Sequence, residues 1–396
     1  MLTIYFVTVC IVLFSIWWYI NTRIPDKFPP GPPRYPIFGS GQYMLVKGEN
    51  GEKKSLMHGI LENVKKYGKL VGFYMGSQPF VIVADYKMMK ELLKRDEISG
   101  RPPAYPFNEF RPGHNTVGKD SIGRNPGVLL SQGRGWREQR RFLLRNLRDF
   151  GFGKSEMEDT LLDEVDKLCK EYKKVAGEPV CLDNTLNLSI VNALWAILVG
   201  EKLPLNDPKI NEIVASLNKV IRESRGASRI AAFLPHPKLI LLFKKSLGID
   251  LFIETTKKLT KMIENQIEAH KSTFEGDDIR DMTDLFLKEI AATQDSESSF
   301  YKGRGHFNMV NNFIDLFIAG METTSTSLLW TFLYLLHHPD VKHRIHDELD
   351  KVMKIDYSVL WFMLFYNDFI YQNCLFLMLI LYFFYFRLLL KVTYRD

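Results

Sequence analysis

The chain has 396 residues, 46% of them hydrophobic, and carries a net charge of +6 from 52 Lys+Arg against 46 Asp+Glu. That length fits one large domain or two ordinary ones, and so small a positive excess argues against nucleic acid while remaining compatible with an anionic membrane surface or an acidic protein partner. Its four cysteines, Cys10, Cys169, Cys181 and Cys374, form no C-x-x-C pair and suggest neither a zinc site nor a disulfide frame.

Residues 1–20 contain no charged side chain and end in Trp17, Trp18 and Tyr19, with Arg23 and Lys27 following. About 20 apolar residues span a bilayer, interfacial aromatics mark its edge, and flanking cations face the cytosol, so an N-terminal membrane anchor with the body in the cytosol is expected over 1–24. A cleaved signal peptide is disfavoured, because no basic segment opens the run and no small-x-small site follows it. Pro29-Pro30-Gly31-Pro32-Pro33, with Pro25 and Pro36 on either side, reads as stiff extended chain.

From residue 55 the periodicities become those of a globular body. A helix is expected over 55–67, followed by two short strands, Val71–Met75 and Phe80–Ala84, around a Gly-Ser-Gln-Pro turn. Helical spacing then dominates over 85–94, 136–148, 155–175, 184–200, 208–224, 250–271, 280–293, 306–337 and 339–353. Pro235 and Pro237 interrupt the chain between two of these, 208–224 and 250–271, and 294–305, with Gly303 and Gly305, reads as a polar loop. The fold class is therefore mainly α with small β-sheet pieces. Cys169 falls in helical register with Leu161, Val165 and Leu168, which predicts an inert core thiol, and Cys181, between Val180 and Leu182, reads the same way. The long helix over 306–337 ends at His337-His338 before Pro339, and the histidines read as helix-end groups complementing the dipole.

After Met353 the composition shifts: residues 354–396 contain no Glu, Gly, Pro or His, and 14 of the 43 are aromatic against 13% in the whole chain. This tail reads either as a second membrane span or, preferentially, as an aberrant segment standing where a C-terminal part of the domain belongs.

Two constellations carry chemistry. Trp136 and Arg140 lie four apart on a basic amphipathic helix, so an indole N–H and a guanidinium share one face and can hold a carboxylate. Residues 319–324 read Ala-Gly-Met-Glu-Thr-Thr inside an apolar helix. Gly320 costs roughly 1 kcal/mol there against alanine, Glu322 places a charge on the segment, and Thr323 and Thr324 have carbonyls a turn earlier to bond. Small residues beside an acid and a hydroxyl suggest a gap where a ligand approaches the backbone, with a proton source next to it.

Taken in order, the proline-rich hinge, the W-x-x-x-R helix with its Arg141–Lys154 continuation, Arg101-Pro102 and the A-G-x-E-T-T groove resemble the cytochrome P-450 family of haem-thiolate monooxygenases, animal microsomal type. The resemblance implies haem as cofactor, with Trp136 and Arg140 on a propionate and Arg141 a neighbour. It implies Ala319 and Gly320 as the small pair admitting oxygen, Thr323 as the hydroxyl steadying it, and Glu322 as the proton-feeding acid. Partners implied are O2, a small apolar substrate, an NADPH-dependent reductase and the endoplasmic reticulum membrane. Phe107 and Phe110 fall in a region that often lines the substrate pocket, although surface aromatics are the favoured reading; Phe317 is expected in the core. The family's E-x-x-R and its Phe-x-x-Gly-x-Arg-x-Cys segment have no match here: no glutamate follows Glu348, no glycine follows Gly320, and Cys374 lies between Gln-Asn and Leu-Phe. The expectation is a partial monooxygenase domain over 25–353, truncated, without its axial cysteine and inactive as it stands. The rival is a non-catalytic two-span membrane protein.

Overall fold

A computed structural model describes residues 2–44, 56–101, 107–114, 125–150, 155–175, 178, 182–203, 207–223, 241–275 and 278–352. Pro102, Cys181, Pro235, Pro237, Cys374, the side chain of Phe107 and the whole tail from 353 fall outside the described residues. Two compact units are present: residues 1–110 with 221–252, and residues 111–220 with 253–396.

The first unit begins with helix α1, Leu2–Thr22, which contains no charged residue. Among the described residues no helix is long and apolar enough to cross a membrane, so the expected spanning role of α1 is not carried by the structure. The proline-rich run is more than a spacer. Prolines lack a donor and can only accept, and Pro30 O accepts the Gly72 N–H at 3.0 Å. Phe28 and the Arg34 guanidinium both lie on the Tyr74 ring, at 5.0 and 4.1 Å. Gly31 is obligatory here, because a Cβ would collide with the Gly72 carbonyl. Tyr74 and Gly72 belong to β1, Leu70–Met75, which pairs antiparallel with β2, Gln78–Val83, in the register Leu70↔Val83 to Met75↔Gln78. Helices α2, Leu56–Tyr67, and α3, Tyr86–Leu92, flank this hairpin in sequence. Asp85 caps α3 by accepting from the Met88 N–H at 3.0 Å, as N-terminal Asp does.

The second unit is helical. Its elements are α4, Gly133–Asp149; α5, Ser155–Lys174; α6, Leu182–Val199; most of α7, Pro208–Glu223, and of α8, Ile249–Thr273; α9, Met282–Ala292; α10, Lys302–His337; and α11, Pro339–Val352. At 36 residues α10 is roughly 54 Å long. Its apolar face packs along α6, where Trp195 meets Phe317 edge-on at 6.0 Å, so Phe317 is core as expected. Val165, Leu168 and Cys169 of α5, Leu186 of α6 and Leu328, Phe332 and Leu335 of α10 close a core against Val341 and Ile345 of α11. Cys169 is thus the buried structural thiol its spacing predicts. A second cluster joins Phe142, Phe286, Phe300 and Phe313, with ring centroids 4.6–6.1 Å apart.

Helix α10 starts at Lys302, four residues before the expected 306, so the loop ends sooner than its glycines suggest. Gly305 is not a breaker: it lets the first turn press on the Phe300 carbonyl, with which a Cβ would collide. The other helices start and stop within a few residues of expectation.

Candidate functional site

On α10 the residues singled out by sequence divide between two faces. Ala319 and Thr323, one turn apart, are exposed, with Ser327 and Trp330 continuing the same open face. The Thr323 hydroxyl donates to Ala319 O at 2.8 Å, the back-bond expected of a helical threonine. Ser325, Ser327 and Thr331 repeat it onto Met321 O, Thr323 O and Ser327 O at 2.7–2.8 Å. Glu322 is half-buried beside them. Gly320 instead turns toward α6, with Leu194 Cδ2 as the nearest atom to a Cβ placed there, at 3.4 Å. The small pair is therefore not one gap: Ala319 belongs to the open face and Gly320 to the packed one.

The second constellation sits on α4. Trp136 and Arg140 share a face, and the guanidinium lies 5.6 Å from the indole centroid. Trp136 is half-buried and its indole N–H donates to Val128 O at 3.2 Å. Arg140 and Arg141 are exposed. What connects the helices is Gln139, fully buried, which accepts from Asn312 Nδ2 at 2.7 Å and donates to Ser299 Oγ at 2.9 Å. Asn312 lies two turns before Ala319, so α4 docks on the N-terminal half of α10.

That half holds a polar knot which the motif reading did not single out. Asp315, 2% exposed, accepts from Arg111 Nη2 at 2.7 Å and from the Val128 and Leu129 N–H groups at 2.8 and 2.9 Å. Arg111 Nε donates to Asn311 Oδ1 at 3.0 Å, and Asn308 Oδ1 accepts the Gly127 N–H at 3.0 Å. The backbone at 127–129 is thereby fixed to α10, and Trp136 is fixed to that backbone through Val128. The signal was present: Asn308, Asn311, Asn312 and Asp315 recur at helical spacing among the apolar residues of 307–318.

Helices α5, α6 and α10, with Leu147 of α4, line a cavity of about 280 Å³ reaching Ala319, Gly320 and Thr324 on one side and Leu161, Val165 and Ser189 on others. Elsewhere in the unit His270, Asp281 and Asp284 come together. His270 Nε2 lies 2.6 Å from Asp281 Oδ2, while Arg280 Nε and Nη2 hold the Asp284 carboxylate at 2.6 and 2.9 Å. Burial pushes the Asp281 carboxyl up. Burial acts the same way on Asp284, but the Arg280 contacts outweigh it and hold that carboxyl below the ordinary value.

A family model described as Cytochrome P450 matches residues 29–362. The chain is similar to Cytochrome P450 18a1 of Drosophila melanogaster, 28% identical over 89% of this chain and 63% of the relative. It is similar to Cytochrome P450 2J2 of Homo sapiens, at 29% over 85% and 62%, and to Cytochrome P450 2D10 of Mus musculus, at 30% over 87% and 65%. It spans under two thirds of the length of these relatives.

Proposed function

The chain belongs to the cytochrome P450 family, and from that membership we propose that α10 and α4 supply the oxygen side and the propionate end of a haem-dependent monooxygenase. Haem is the cofactor of the family. The donor set fits it on two sides. Ala319 and Thr323 leave an open helix face without bulk, and the Arg140 guanidinium has no hydrogen bond or ion pair among the described residues. It does not fit on the third: Cys169 is sealed in the core and Cys10 lies on α1, so neither described thiol offers an axial ligand.

Haem held there would supply oxygen activation, one atom of O2 entering an apolar substrate and the other leaving as water at the cost of two electrons and two protons. This chain's residues do the rest. Arg140 would pair with a propionate, its guanidinium lying 5.6 Å from the Trp136 indole, which is itself tied to Val128 O. Thr323 turns its hydroxyl from Ala319 O toward the open face and presents a proton there. Glu322 exchanges protons between solvent and that hydroxyl. Electrons come from an NADPH-dependent reductase. Helix α1, 21 residues without a charge and followed by Arg23 and Lys27, attaches the protein to the endoplasmic reticulum membrane with the body in the cytosol.

The observation that carries this reading is the pairing of Thr323 with Ala319 on one open face, in the motif Ala-Gly-Met-Glu-Thr-Thr. The test uses a chain extended to the length of its relatives. Thr323→Ala is expected to cut product formed per electron several-fold while peroxide rises, and Glu322→Gln to slow turnover about a hundredfold or more, the scale of one proton-transfer group. Unchanged product per electron in Thr323→Ala, with unchanged turnover in Glu322→Gln, contradicts the assigned roles.

A further inference from the structure

We propose that the cavity between α5, α6 and α10 is a binding site for a small neutral molecule, mainly apolar, bearing one hydrogen-bonding group, of the phenol class, held by the Ser189 hydroxyl. Three observations meet there. The first is size: about 280 Å³ lies near the lower end for ligand pockets and above the volume that admits a single benzene ring. The second is chemistry: the lining is largely Leu, Ile, Val and Ala, and Glu164, also at the wall, is already engaged by Asn192 Nδ2 and Lys167 Nζ, each at 3.0 Å.

The third is Ser189 itself. It is 7% exposed, lines the cavity, and its Oγ is buried with no hydrogen-bond partner. Helical hydroxyls have a ready partner in the carbonyl a turn earlier, and Thr323, Ser325, Ser327 and Thr331 of α10 all take it. Ser189 does not, and an orphaned buried hydroxyl is costly unless something meets it. Water is a poor answer. An ordered buried water requires two to four polar partners, and among the residues lining the cavity Ser189 is the one whose fully buried side-chain oxygen has no hydrogen-bond partner among the described residues. A ring with one hydroxyl covers the apolar lining and bonds Ser189 at once. The cavity is lined by Gly320 and Thr324 and not by Thr323, while Ala319 borders both the cavity and the open face; the inference is argued from Ser189 and does not rest on the monooxygenase reading.

The test is equilibrium dialysis of the full chain, in detergent with a matched blank, against phenol and benzene, for the wild type, Ser189→Ala and Ala193→Leu. Ala193 lines the cavity and is 2% exposed, so the larger side chain projects into the space. Expected are saturable binding of both probes to the wild type, phenol weakened about five- to tenfold by Ser189→Ala with benzene changed less than about twofold, and loss of both in Ala193→Leu. Near-ultraviolet circular dichroism confirms that Ser189→Ala retains its packing, so its result stands even if Ala193→Leu misfolds. The proposal is overturned if the wild type binds neither probe saturably. It is equally overturned if Ser189→Ala leaves the phenol-to-benzene preference unchanged, the outcome for a packing void or a solvent-filled one.

Discussion

At Asp315 one carboxylate satisfies a buried guanidinium and two backbone N–H groups, and the Arg111–Asp315 ion pair is buried on both sides. Asp315→Asn keeps the shape and removes the charge. Stripping one partner from a buried ion pair costs about 3–5 kcal/mol, because the survivor stays buried and uncompensated. Chemical denaturation of the solubilised chain is expected to register a loss of that order, whereas a loss under about 1 kcal/mol places Arg111 in water. Of the residues named from sequence, Thr323 and Cys169 lie where their spacing put them, and Trp136 and Arg140 share a face because i and i+4 must. Where Trp136 spends its indole proton could not be read, since Val128 becomes its acceptor only once Asp315 has fixed the backbone at 127–129. That pairing spans 187 positions in sequence and leaves no local trace.

Between elements, α5 and the segment after α6 are tied by charge as well as by the core. Asp163 accepts from Lys167 Nζ at 2.9 Å and from Lys202, and these bonds hold its carboxyl down at about 2. A carboxyl depressed by folding adds stability that is complete above its unfolded value near 3.8 and is lost as pH falls through about 2. Asp163→Asn is therefore expected to flatten the fall in Tm between pH 4 and 2, modestly because the side chain is half in solvent. An unchanged slope shows that the lysines do not hold it. Helix identity was legible at this scale, since a 3.6-residue period over a dozen positions is hard to mistake. The start of α10 was not: Gly303 and Gly305 look like a loop by composition, and the tight contact with Phe300 that makes Gly305 helical belongs to tertiary packing. The division of Ala319 from Gly320 was also hidden, because it depends on where α6 lies.

For the whole molecule, order along the chain carried the family: hinge, W-x-x-x-R helix and A-G-x-E-T-T groove each have ordinary readings alone. The cellular setting rests on α1. In residues 1–353, deleting 2–24 is expected to move most of the protein from an alkali-resistant membrane pellet to the soluble fraction, and full retention in the pellet contradicts the attachment. The central claim, that α10 and α4 present one haem face, is met most directly by titrating haemin into the full chain and following the Soret band. Saturable uptake is expected, weakened about tenfold or more by Arg140→Ala through loss of a charge-assisted bond to a propionate, and abolished by Thr323→Phe, which fills the open face. Uptake that is absent, or indifferent to both substitutions, contradicts it.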